Sequence, residues 1–260
     1  MKLGLGLYTV YDGLRADLDD TLRQTAGMGY EGVEFFGTAI WRPEEVRDSL
    51  ARYGLTVCGW HTEWRLLQED TLRGTIAYHR AIGNRTLIVP ALGGPWNIAH
   101  TAEEDCEAVW VGHAKWMLEL SALLANEGMR LGYHTHAHEF SLRYESGRTP
   151  YNILAEECPQ VILELDTGNC VEGGGDPVAA LKQSQGGSKL VHLKPYSHTR
   201  GFDLLLGDED DANDWDAIAR QCRTDGAEWL LVEDEANSIG DKFAAAKVCH
   251  DRMKAILEEV

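Results

Sequence analysis

Short runs rich in valine, isoleucine and leucine alternate with amphipathic stretches eight times along the chain. The runs predict strands at Lys2–Tyr8, Gly32–Phe36, Leu55–Trp60, Thr86–Pro90, Met129–His134, Val161–Asp166, Lys189–Lys194 and Trp229–Glu233. Several are apolar at nearly every position, as in strands covered on both faces. The intervening stretches predict helices at Asp17–Met28, Pro43–Tyr53, Thr71–Ile82, Thr101–Asn126, Pro150–Glu157, Pro177–Gln185, Asp214–Arg223 and Ser238–Glu258. Pro43 and Pro177 occupy first-turn positions, and Gly29, Gly54, Gly83 and Gly128 follow the predicted helix ends. Eight strand–helix pairs predict an α/β fold, a (β/α)8 barrel, with residues 1–260 as a single domain. An open doubly wound sheet fits less well, because Tyr8–Gly13 after the first strand has no G-x-G-x-x-G fingerprint.

Closure of such a barrel would bring four side chains to one mouth. They are Glu139 in YHTHAHEF, Asp166 in LELDTGN, His192 in VHLKPY and Glu233 in LLVEDE. Three carboxylates and one imidazole form a site for a divalent metal, with Mn²⁺ expected first and Mg²⁺, Co²⁺ or Zn²⁺ as alternatives. Glu139 and Glu233 are expected to hold the metal and also to act as catalytic base and acid. His134 is the alternative strand-five ligand. The competing reading is a ring of salt bridges that caps the barrel.

Further residues are expected around the substrate. His134 and His136 fall on one side by the strand period. Lys194, two residues past His192, would stabilise an oxyanion or donate a proton. Glu34 would hold His61 or a substrate hydroxyl, with a buried salt bridge as the plain alternative. Trp41, Trp60, Trp64 and Trp96 are expected at the ends of strands two to four or in the following loops, where aromatic faces suit sugar C–H groups. Glu235 should share the face of Glu233, and His138 is expected to be exposed.

Composition narrows the function. The 260 residues are 44% hydrophobic, enough for a sizeable core. The net charge of −18 opposes nucleic acid and anionic lipid as partners. Six cysteines without a C-x-x-C pair read as reduced thiols. With no signal-peptide pattern and no apolar run of membrane-spanning length, a cytoplasmic location is expected. A homodimer or higher homo-oligomer is compatible with a tryptophan-rich rim.

LGLYTVYDGL, GMGYEGVEFFG, YHTHAHEF, LELDTGN, HLK and VEDE follow one another in the order seen in the xylose isomerase-like superfamily, and the chain resembles its sugar isomerase/epimerase group over nearly its whole length. The resemblance implies a metal-dependent sugar or ketose isomerase or epimerase that moves a proton through a metal-bound enediolate. It also implies that His61 contacts substrate oxygens and that Glu139, retained in YHxHxxEF relatives, is a ligand. The chain departs from many relatives at Thr135, Asn169 and Pro195, where Asn, His and Asp are usual. A dehydratase or lyase on a keto-inositol or keto-sugar is the alternative function. An endonuclease IV-like hydrolase and a non-catalytic sugar-binding barrel rank lower, the former because strand four ends without a histidine and the charge opposes DNA.

Overall fold

Eight parallel strands pair in chain order and close on themselves in the computed structural model, which describes residues 1–92 and 105–260. The strands are β1 (Lys2–Gly6), β2 (Gly32–Phe36), β3 (Thr56–His61), β4 (Thr86–Val89), β5 (Arg130–His134), β6 (Ile162–Asp166), β7 (Leu190–Leu193) and β8 (Trp229–Val232). The helices are α1 (Tyr11–Ala16), α2 (Leu18–Met28), α3 (Pro43–Tyr53), α4 (Leu72–Ala81), α5 (Glu107–Asn126), α6 (His138–Ser141), α7 (Pro150–Glu157), α8 (Thr167–Glu172), α9 (Pro177–Gln183), α10 (Trp215–Asp225) and α11 (Lys242–Glu259). Every predicted strand is present, most of them a residue or two shorter than predicted. The pattern did not predict the short helices α1, α6 and α8, whose few residues carry no clear apolar period. Among the described residues, no helix is long and apolar enough to cross a membrane.

Side-chain alternation along the strands sorts residues between two cores. Leu3, Leu5, Val33, Phe35, Leu163 and Leu165 face outward and join the main core under the helices. Cys58, Ile162, Leu190, Trp229 and Leu231 plug the barrel interior. Two residues further along β6, β7 and β8 the interior positions become Glu164, His192 and Glu233, all buried. Next to β8, β1 offers Gly6, where an added Cβ would lie 3.5 Å from the Glu233 carboxylate and 3.7 Å from the His192 ring. Glycine there leaves room for the polar ring.

A bulge on β3 decides what faces the mouth. The register with β2 jumps from Val33↔Val57 to Glu34↔Gly59, which leaves Cys58 as an extra residue. The bulge reverses the facing of the residues after it, so Gly59 and His61 point inward and Trp60 points out. Trp60 is therefore not at the rim. It is buried against Phe35, with ring centroids 4.5 Å apart, and its indole donates to the Gly37 carbonyl. Trp41 packs on Phe35, and Trp64 is exposed beside Trp116. Trp96 lies outside the described residues.

His79 in α4 sits with its ring 5.2 Å from that of Trp60, and its Nδ1 is 3.0 Å from the Asn84 amide. Burial pushes its pKa down to about 4. Between that value and the ordinary 6.5, the unfolded chain holds a proton that the native protein does not. Stability should therefore fall as pH drops through this window, by about 1.4 kcal/mol per pH unit from this group. His79→Gln should flatten that part of the curve in urea unfolding between pH 4 and 7. An unchanged slope would show that other groups dominate.

Candidate active site

The ends of β5 to β8 build the site, joined from below by β2 and β3. Asp166 and His192 are register partners on β6 and β7, and His134 pairs with Glu164 across β5 and β6. Two overlapping groups of candidate metal donors result among the described residues. Asp166, His192 and Glu233 form one, and His61, His134, Glu164 and His192 form the other.

The lower layer is a network of carboxylates and imidazoles. His192 meets Glu34 through Nε2 at 2.6 Å and Glu233 through Nδ1 at 2.9 Å. His61 Nε2 lies 3.1 Å from Glu34 and 2.9 Å from Glu164. His134 Nδ1 lies 3.0 Å from the same Glu164 oxygen. Burial works against charge on all of these groups. For His61 the adjacent Glu34 and Glu164 outweigh burial and raise the pKa to about 10. His192 is likewise held well above its ordinary range by Glu164 and Glu34. His134 is pushed well below it, by burial first and then by the charges on His192 and His61. Glu34 falls to about 2 despite burial because His61 and His192 flank it, whereas burial and the charge on Glu34 lift Glu164 to about 7.

The upper layer faces the mouth. Asp166 splits its two oxygens. Oδ1 accepts from the Asn169 backbone at 2.8 Å and so caps α8, while Oδ2 is buried with no hydrogen-bond partner among the described residues. His134 Nε2 is 3.8 Å from that oxygen and Lys194 Nζ is 4.0 Å away. Burial foremost, reinforced by Glu233 and opposed by Lys194, pushes Asp166 up to about 7. Lys194 donates to Glu233 at 3.1 Å and to Glu235 at 2.6 Å. Burial would raise Glu233, but Lys194 and His192 hold it well below the carboxylate range. Thr135 and Asn169, two of the departures from the usual pattern, hold the scaffold: Asp166 N donates to Thr135 Oγ1, and Asn169 Nδ2 donates to the Thr135 carbonyl.

Three of the four expected ligands thus meet, and Glu139 does not join them. Strand β5 ends at His134, and Glu139 falls in the single turn of α6. Its carboxylate accepts from the Tyr133 hydroxyl at 2.5 Å and the His136 backbone at 2.7 Å, and lies 3.0 Å from His138 Nε2. The side chain that β5 itself sends inward is His134. His138 is 9% exposed rather than on the surface, since it pairs with this buried Glu139. His136 lies beyond the strand end, partly buried, with its ring 4.9 Å from that of His134. Glu34 and His61 lie below the mouth, occupied with each other and with His192 and Glu164.

Glu164 was not expected from the sequence. Its signal was its place two residues before Asp166, hence on the same face. The donors near this Asp166 oxygen suit a divalent cation: His192 and Glu233 form one group with it, and His134 Nε2 lies 3.8 Å away. The remaining nitrogen of each histidine is bonded to a buried carboxylate, the arrangement that fixes ring orientation in metal sites.

Comparison with known proteins agrees with this architecture. An inosose dehydratase from Geobacillus kaustophilus is 26% identical over 195 residues, 69% of this chain, and the chain spans 62% of that relative's length. A sugar phosphate isomerase/epimerase from Parabacteroides distasonis superposes with a TM-score of 0.78 at 20% identity, covering 97% of both chains. An L-ribulose 3-epimerase gives 0.73 at 19% identity over 99% of this chain and 95% of its own. The model of the xylose isomerase-like TIM barrel family matches residues 22–256, and the chain belongs to that family.

Proposed function

We propose that this barrel is a divalent-metal-dependent sugar or ketose isomerase or epimerase that moves a proton beside a carbonyl. The observation that carries this reading is the buried Asp166 Oδ2, which has no hydrogen bond from the described residues, is grouped with His192 and Glu233, and lies 3.8 Å from His134 Nε2. A cation held by these four residues, with Mn²⁺ favoured, would polarise the substrate carbonyl and make the adjacent proton easier to remove. Glu233 is the proposed base, because its carboxylate is kept ionised by Lys194 and His192. Lys194, hydrogen-bonded to Glu233, is placed to return a proton or to steady the developing oxyanion. Glu34 and Glu164 hold the histidine rings from below. Glu139 positions the β5 turn through Tyr133, His136 and His138 rather than binding metal.

A dehydratase on a keto-inositol or keto-sugar is the second reading, favoured by the similarity to inosose dehydratase. It would begin with the same proton removal and end with loss of a β-hydroxyl, protonated by Lys194.

Two experiments test these assignments. Proton NMR in heavy water, with Mn²⁺ and a panel of ketoses and keto-inositols, should show metal-dependent exchange beside a carbonyl. Glu233→Gln should lower that exchange by about 10²- to 10⁴-fold. A variant with full activity removes Glu233 as base, and loss of water from the product selects the dehydratase. Metal content measured by mass spectrometry should separate the β5 candidates. His134→Ala should lose most bound metal. Glu139→Gln should keep it while losing about 1–3 kcal/mol of stability from a disturbed buried hydrogen-bond set. The opposite pattern would return Glu139 to the ligand set.

A further inference from the structure

We infer that the substrate carries no phosphate: the mouth selects a neutral keto-sugar or keto-polyol and rejects phosphate esters. This inference rests on the reading of the mouth as a sugar-transforming site and specifies its substrate class.

A phosphate dianion needs cations or open helix N-termini. Two of the loops that follow the strands supply none. Residues 90–106 and 167–176 contain no lysine or arginine, and the first of these ranges includes all the undescribed residues. Elsewhere on this face Arg15 is exposed on α1, and most of the other cations are paired. Arg42 is held by Glu45 at 2.8 Å, Arg65 by Glu63 at 2.7 Å, and Arg148 by Glu107 at 2.6 Å. Arg200 is paired with Asp210 and Asp208, and Arg143 donates to the Gly147 carbonyl. Among the described lysines and arginines, Lys194 alone reaches the carboxylate ring, and it already bridges Glu233 and Glu235.

Barrel phosphate sites are usually made by the loops after strands seven and eight with a helix N-terminus. Here the loop after β8 carries Glu233, Asp234, Glu235 and Asp241. Asp241 accepts from Phe243 N at 3.0 Å and Ala244 N at 3.1 Å, so its carboxylate occupies the N-terminus of α11 where a phosphate would sit. Asp214 likewise caps α10 after β7. These residues replace an anion cradle with fixed negative charge.

The same side of the mouth offers aromatic faces instead. Tyr8 is 50% exposed and Tyr11 45% exposed, with Phe36 packed 5.2 Å and 5.5 Å from them. Tyr8 and Tyr11 line a cleft of about 650 Å³ together with Glu235, Asp241 and Lys242. The Lys242 ammonium there donates to the Ala236 carbonyl at 2.6 Å. Such a surface suits the C–H face of an uncharged sugar.

Saturation-transfer NMR titrations of the Mn²⁺-loaded protein at 0.15 M salt would compare a panel of neutral ketoses and keto-inositols with the phosphate esters of the same ketoses. The esters should bind at least tenfold more weakly. Asp241→Asn keeps a capping side chain but removes its charge. It should improve ester binding severalfold and leave the neutral ligands unchanged. Ester binding equal to or tighter than that of the neutral sugars overturns the inference, as does binding of no neutral ligand in the panel. Ester binding unaffected by Asp241→Asn removes its electrostatic basis and overturns it as well. Deuterium exchange on the same samples judges the reaction separately. Selective binding of neutral sugars without exchange keeps the substrate class and sinks the proton-transfer reading.

Discussion

The structure depends on burying Glu34, Glu164, Asp166 and Glu233 in one barrel. An ionised carboxylate removed from water is strongly destabilised unless hydrogen bonds and opposite charge replace its hydration. Three imidazoles and one ammonium do this here, and the geometry is shared rather than pairwise. Glu164 serves His61 and His134 through one oxygen, and Glu34 serves His61 and His192 through one oxygen. Removing any member leaves a neighbour uncompensated. The network therefore specifies the relative positions of β2, β3, β5, β6, β7 and β8 more tightly than apolar packing alone would.

Strand period and closure together explain how a short sequence produces this layering. Interior positions recur every second residue, so β6 reads Ile162, Glu164, Asp166 and β7 reads Leu190, His192, Lys194 from the plugged bottom to the open mouth. The lowest layer is apolar and excludes water. The middle layer is the carboxylate–imidazole network, and the top layer faces the mouth. β1 contributes glycine at the middle level, so the space belongs to side chains from the other strands.

This periodicity made the barrel and much of the site legible in the sequence. Asp166, His192 and Glu233 stood out because each closes an apolar run at a predicted strand end. What stayed hidden depended on local departures from that rule. Glu164 was masked by its own strand, where a carboxylate among leucines reads as an irregularity until its face is compared with that of Asp166. Glu139 was misplaced because the chain leaves the extended state after His134, and the turn of α6 sends its carboxylate back to Tyr133. Trp60 was misplaced by the single extra residue at Cys58, which inverts the facing of everything after it on β3. One bulge and one helical turn are too short to carry a periodic signal.

The titration pattern bears on the cation. His61, Lys194 and His192 are all held in their charged forms, yet Glu164 and Asp166 are still both lifted to about 7. Burial is the first cause in each, so the protein's own positive charge does not fully stabilise these two carboxylates. A divalent ion held by Asp166, His192 and Glu233 would need His192 Nδ1 free of its proton, with Nε2–H donating to Glu34. The ring orientation that Glu34 enforces is thus the same one that presents Nδ1 to the mouth. The lower carboxylates do two things with one geometry: they keep the buried imidazoles in place, and they turn the other ring nitrogens of His134 and His192 toward the mouth. Asp166 Oδ2, with ion-pair contacts of 3.8 Å to His134 and 4.0 Å to Lys194 but no hydrogen bond from the described residues, sits beside those ring nitrogens.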